Sequence, residues 1–222
     1  MRTLQTRLRC TKFPLCQRKN MLDKYATALI KPGIEAIAKR LSRAGIQADH
    51  VTLLAFAIGV IAAFLIAASA YLAGALCILV SRLCDALDGA VARQTTASDA
   101  GGFLDISLDF LFYASIPLAF AFASPPANAL PAAVLLAAFM GTGSSFLAYA
   151  VLAAKRGQNS SAQYPNKSFY FLGGLAEATE TLTVFILMCL WPAHFPLLAY
   201  LFTSLCCVTI TTRIYGGWRS LQ

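Results

Sequence analysis

Charge is what this sequence has least of. Lys, Arg, Asp and Glu make up 13% of its 222 residues, against about 25% in an ordinary soluble domain. With 58% hydrophobic residues, the chain carries more apolar surface than one water-solvated core can hide, and lipid is the solvent that accepts the surplus. Cysteine pairs of the metal-ligand kind are missing as well, since none of the seven cysteines forms a C-x-x-C. Cys77, Cys189, Cys206 and Cys207 lie in apolar segments and Cys84 abuts an acidic motif. They read as small core hydrophobes, which excludes a disulfide framework or a thiolate zinc site. No repeat and no low-complexity segment is present. The first 20 residues contain no apolar stretch long enough for a signal peptide.

The charge that is present is unevenly placed. The net charge is +8, and eleven of the 18 Lys and Arg lie in residues 1–50. No basic stripe interleaved with aromatics occurs on a soluble pattern, so the excess points to lipid head groups and topology, with no nucleic-acid partner. Residues 1–20 read as a basic tail, either disordered or an extension ahead of a later start at Met21. Residues 21–50 read as an amphipathic juxtamembrane helix. Its apolar stripe is Leu22, Tyr25, Ala26, Ile30, Ile34, Ile37, Ala38 and Leu41, and Pro32-Gly33 kinks or divides it. Such a helix suits the membrane interface or packs on the protein, and the two are compatible.

Six apolar segments follow, near 51–70, 71–92, 102–123, 129–154, 169–191 and 196–215. Each is close to the roughly 20 residues a spanning helix needs. The fold class expected is all-α and integral to the membrane, with six transmembrane helices preceded by an amphipathic interfacial helix. Residues 51–215 form the helical domain and 216–222 a short C-terminal tail. The connections near Ala70, at Ser124–Asn128 and at Pro192–His194 lack Lys and Arg, whereas the opposite ones hold Arg93, Lys155, Arg156 and Lys167. By the positive-inside rule both termini face the cytoplasm, in a multi-pass protein of the cell membrane.

Against this apolar background a few acids stand out, because ionisable groups in spans are costly and usually functional. Asp85 and Asp88 are three apart near the end of the second segment; Asp105 and Asp109 are four apart at the start of the third. Each spacing puts its pair on one helix face. The short polar turn between the segments predicts antiparallel neighbours whose four carboxylates converge at the cytoplasmic end. Carboxylates so pressed repel one another and take up protons unless cations neutralise them. Hard oxygen ligands select Mg²⁺ or Mn²⁺, and two ions sharing four carboxylates would clamp a diphosphate. Gly89 allows close backbone approach, Ala92 leaves room, and Arg93 can fork onto phosphate oxygens. Gly101-Gly102 opens a helix whose N-terminal amides also favour phosphate.

The run Asp85-x2-Asp88-Gly89-x2-Ala92-Arg93, then seven residues, Gly101-x3-Asp105-x3-Asp109 resembles the D-x2-D-G-x2-A-R…G-x3-D-x3-D signature of the CDP-alcohol phosphatidyltransferases. The family's spacer is usually eight residues; the missing one falls in the turn Gln94–Ala100. The motif covers residues 85–109, and the six-span layout extends the likeness over about 21–215. The resemblance implies a metal-dependent transfer of a phosphate-linked group from a CDP-activated lipid, CDP-diacylglycerol being the expected donor, to an alcohol, with release of CMP. It implies Asp85, Asp88 and Asp105 as metal ligands. Asp109 would be the base for the acceptor hydroxyl and a further ligand. Gly89, Arg93 and Ser98 would contact the CDP moiety, joined by the stretch Asp49-His50-Val51-Thr52 before the first span. Membrane lipids are partners, and a homodimer is compatible with the layout.

The acceptor is less legible. Lys155, Arg156 and Lys167 suit a phosphorylated alcohol or serve topology alone. Glu177 and Glu180, three apart, either line the acceptor pocket or pair with Arg213. The other class to weigh is a transporter using the acids as an ion site. Transporters hold such residues near the bilayer midplane, whereas these lie at one end.

Overall fold

The computed structural model describes residues 33–94, 98–156 and 178–222, and among them every regular element is helical. The expectations on the 1–20 tail, on residues 21–32, on the start of the fifth segment, and on Lys167 and Glu177 lie outside the described residues. Helix α1 is described over residues 33–43. It is followed by α2 (Ala48–Ala67), α3 (Tyr71–Ala92), α4 (Asp99–Ala123), α5 (Pro125–Lys155), α6 (Ala178–Leu190), a 3₁₀ turn Pro192–His194, and α7 (Phe195–Leu221).

Among the described residues, four stretches are long and apolar enough to cross a membrane: Ala48–Ala67, Asp99–Ala123, Pro125–Lys155 and Pro192–Ser220. Helix α3 has the length, at 22 residues, but carries Arg82, Asp85 and Asp88 within its apolar run. Helix α6 is described over 13 residues.

Helix ends are set by local backbone chemistry. Ala70 N–H reaches back to the Leu65 carbonyl at 2.8 Å and Ser69 N–H to that of Ile66 at 2.9 Å, with Ser69 left-handed at φ 64°. This is a Schellman stop, and it turns the chain from α2 into α3 within three residues. The same pair of bonds closes α1, Ile46 to Leu41 and Gly45 to Ser42, with Gly45 at φ 78°. Between α4 and α5, Pro125-Pro126 starts the new helix, and the buried Asn128 amide donates to the Phe120 carbonyl at 2.9 Å.

Contacts fix the helix directions. Tyr71 meets Phe120 and Arg82 meets Asp109, so α3 and α4 run antiparallel. Asp49 meets Gly101 and Gly59 meets Phe112, so α2 and α4 run parallel. Gly141 faces Ile210 and Thr142 faces Arg213, so α5 and α7 are parallel too. The expected antiparallel neighbours α3 and α4 meet through side chains, with little direct backbone contact, while α2 packs on both. Gly59 explains the geometry, since a Cβ there would come within 2.6 Å of the Phe112 ring and 3.2 Å of Ser81 Oγ. Its bare backbone lets α2 sit in the angle between α3 and α4. That wedge leaves a gap bridged by side chains.

The core cluster joins Ile66, Ile78, Phe112, Ile116, Phe120, Leu135, Phe185, Phe195 and Phe202. Helix α1 packs separately. Ala38 is fully buried against Ala90 and Val91 of α3, flanked by Ile34, Leu41 and Leu87. Ile34, Ala38 and Leu41 are the i, i+4, i+7 stripe expected of an amphipathic helix, and here that stripe faces protein. Ile37 lies off it, half exposed.

Candidate active site

Asp85 projects from the last two turns of α3, and Asp105 and Asp109 from the first turns of α4. One carboxylate oxygen from each lies within 4.8 Å of the other two, and all three residues are half-buried. Spacings of four on α4 and antiparallel chain direction produce this, as the sequence pattern requires. Asp88 stands outside that group of three. It is 6% exposed, and its Oδ2 is buried without a hydrogen-bond partner. The Thr52 hydroxyl lies between the Asp88 carboxylate and the Ala48 carbonyl, 3.1 Å away, and its single proton serves one of them at a time. A buried carboxylate oxygen without a donor is costly. With three further carboxylates nearby, the donor set is all hard oxygen and fits a hard divalent cation.

Arg82 is the residue that sequence reasoning missed. Its Nη1 donates to Asp109 Oδ1 at 2.6 Å and lies 3.5 Å from Asp85 Oδ1. Its guanidinium sits 4.1 Å over the Phe112 ring, and Nη2 is 3.4 Å from Ser81 Oγ. Ser81 in turn donates to the Ala55 carbonyl of α2 at 2.7 Å. The signal was available: Arg82 and Asp85 are three apart, the same spacing that singled out Asp85 and Asp88.

The expected nucleotide contacts divide. Asp49 and Thr52 share the inner face at the start of α2. A Cβ on Gly101 would fall 2.7 Å from Asp49 Oδ1 and 3.1 Å from Ser98 Oγ, so the bare glycine lets the start of α4 close on Asp49 without moving either side chain. Ser98 is the N-cap of α4, its Oγ accepting Gly101 N–H at 3.0 Å. Gly89 and Arg93 also come together, with Arg93 Nη1 3.6 Å from where a Gly89 Cβ would be. Val51 is buried in the packing and His50 is exposed. Lys155 and Arg156 are exposed at the end of α5, and Glu180 is exposed at the start of α6. Arg213 donates to the Thr142 carbonyl at 3.2 Å.

Similar proteins converge on one identity. Inner membrane protein YnjF of Escherichia coli is 51% identical over 202 residues, covering 91% of this chain and 98% of that protein. Archaetidylinositol phosphate synthase of Pyrococcus horikoshii is 36% identical over 97 residues, 43% of this chain and 51% of its own length. Among solved structures, phosphatidylinositol phosphate synthase (PgsA1) of Mycobacterium tuberculosis with CDP-DAG bound shares the fold. Its TM-score is 0.62 at 22% identity, covering 83% of this chain and 93% of that one. The same enzyme is also known in complex with manganese and citrate. Residues 46–212 match the CDP-alcohol phosphatidyltransferase family, and the chain therefore belongs to that family of multi-pass membrane transferases of phospholipid biosynthesis.

Proposed function

We propose that this transferase takes a CDP-activated lipid, CDP-diacylglycerol, as donor and an alcohol as acceptor, and releases CMP. The observation that carries the reading is the gathering of Asp85, Asp105 and Asp109 within 4.8 Å beside the orphaned oxygen of Asp88. Asp85, Asp88, Asp105 and Asp109 would hold Mg²⁺ or Mn²⁺, two ions by our reading, and the bound cation would spread the charge of the donor diphosphate.

The chain's own residues do the rest. Asp49, Thr52, Gly89, Arg93 and Ser98 form the floor for the CDP moiety, and Arg93 steadies phosphate oxygens. His50 and Val51 contribute backbone to that floor and no side-chain contact. Asp109 takes the proton of the acceptor hydroxyl, whose oxygen bonds to the β-phosphorus as the bond to the bridging oxygen breaks. CMP departs with that oxygen and its electron pair. Orientation of the two reactants and fixed charges supply most of the rate. Lys155 and Arg156 favour an acceptor that carries phosphate. A second copy of the chain is a compatible partner.

The membrane arrangement belongs to the same proposal. Residues 51–215 form a six-span catalytic domain in which α3 and α6 also cross. Helix α1 would lie at the membrane interface, and the C-terminal residues 216–221, expected as a tail, continue α7 instead; the C-terminus and the site would face the cytoplasm. The one-sided Lys and Arg distribution supports this.

CMP release from purified protein mixed with CDP-diacylglycerol, a divalent salt and a panel of free and phosphorylated alcohols tests donor and acceptor together. A panel that yields no CMP with any acceptor would sink the donor assignment.

A further inference from the structure

The proposed chemistry accounts for the aspartates and leaves Arg82 unexplained. A guanidinium seldom sits among carboxylates meant for metal, because it uses the same lone pairs. Here it is held there from three sides. Phe112 of α4 supports its face at 4.1 Å. Ser81, anchored to the Ala55 carbonyl of α2 at 2.7 Å, lies beside Nη2 at 3.4 Å. Asp109 Oδ1 accepts from Nη1 at 2.6 Å. The side chain is only 11% exposed, and its Nε is buried without a partner. A long cation merely seeking solvent would extend outward; this one is folded in and packed.

We infer that Arg82 is an internal cation of the acidic site, one that competes with the divalent ion for Asp109 Oδ1 and so lowers the site's intrinsic metal affinity. The inference rests on the metal reading of the aspartates. Its chemistry is simple. An oxygen already bonded at 2.6 Å to a guanidinium has less negative potential to offer a second cation, and two cations that close repel. Metal binding must therefore work against a fixed positive charge. A diphosphate brings negative charge to both, so donor and metal bind cooperatively. Arg82 is a positioning residue here, acting through Asp109.

The test is Mn²⁺ titration of the full chain in detergent or nanodiscs, followed by electron paramagnetic resonance, without substrate and with CDP. Arg82→Gln should bind Mn²⁺ at least about tenfold more tightly than the parent, equivalent to 1.4 kcal/mol, and the tightening by CDP should shrink. Arg82→Lys keeps the charge and should stay within about threefold of the parent. Unchanged or weaker affinity in a folded Arg82→Gln protein would overturn the inference while leaving the metal reading intact. If Arg82→Gln does not fold, Arg82→Lys decides, because a Lys variant that gained tenfold would show that charge is not the cause. A parent protein that binds no Mn²⁺ with or without CDP would sink the metal reading and this inference together.

Discussion

At one end of the α3–α4 pair, Tyr71 stacks on Phe120 at 5.6 Å and Phe120 on Phe195 at 4.5 Å. At the other, Asp85, Asp105 and Asp109 crowd within 4.8 Å of one another around Arg82. The same two helices close one end by dispersion and hold the other apart with like charges. At the aromatic end the buried Asn128 amide answers the Phe120 carbonyl. The acidic end keeps an orphaned Asp88 oxygen and a half-buried ion pair. Stability and chemistry are thus segregated along one pair of rods, with α2 wedged alongside both.

Five substitutions would break or sharpen that division. The largest effect is expected at the acids. Asp109→Asn should cut CMP release at least about 10²-fold, the low end for losing a general base, while CDP binding by calorimetry persists. Asp85→Asn should lose Mn²⁺ and donor binding as well, and activity of the parent should vanish after dialysis against EDTA and return with Mn²⁺. Equal loss of CDP binding in both variants would erase the distinction between base and ligand.

Phe120→Ala should do the reverse. Emptying the fully buried aromatic stack costs about 3 kcal/mol or more, seen as a lower unfolding midpoint in detergent, with turnover per folded molecule little changed. A tenfold fall in turnover would mean the two ends are not separate.

Gly59→Ala lies between the two ends. Its added methyl would press on Phe112 and Ser81, overpacking worth about 1–3 kcal/mol. Because both neighbours brace Arg82, activity should fall with stability. A variant that melts early but turns over normally would uncouple the wedge from the site. The smallest change is Ser98→Ala, which removes the α4 cap for about 1 kcal/mol. It should raise the donor KM modestly and leave kcat alone.

Most of the site was legible in sequence because helical periodicity converts spacing into faces. Asp105 and Asp109 meet Asp85 as the interval of four on α4 demands, and Gly89 comes beside Arg93 in the same way, but Asp88, three from Asp85 and expected in the same cluster, stands outside it. What spacing cannot give is the distance between helices. A short turn makes α3 and α4 antiparallel neighbours, yet they meet largely through side chains, because the bare backbone of Gly59 admits α2 beside both. Arg82 was overlooked for a related reason. A lone arginine in an apolar helix shows no cross-helix partner in sequence, and only its contact across to α4, 27 residues away, gives it a role. Ser98 shows a different limit, since the pattern marked a ligand contact and the structure adds a capping bond. The stripe Ile34, Ala38 and Leu41 was read correctly as apolar, yet a stripe does not say whether lipid or Ala90 and Val91 will cover it.

The parallel course of α5 and α7, both antiparallel to α4, has a consequence for how substrate arrives. Their C-terminal ends finish on the side where α4 begins, so the exposed Lys155, Arg156 and Arg219 lie toward the same end of the bundle as the aspartates. Each such residue near a bilayer surface draws anionic lipid by about 1 kcal/mol. For the lipid donor proposed above, the search would be two-dimensional and biased by these charges, and the composition of the surrounding leaflet would help set how often the enzyme is visited, independent of how fast it turns over.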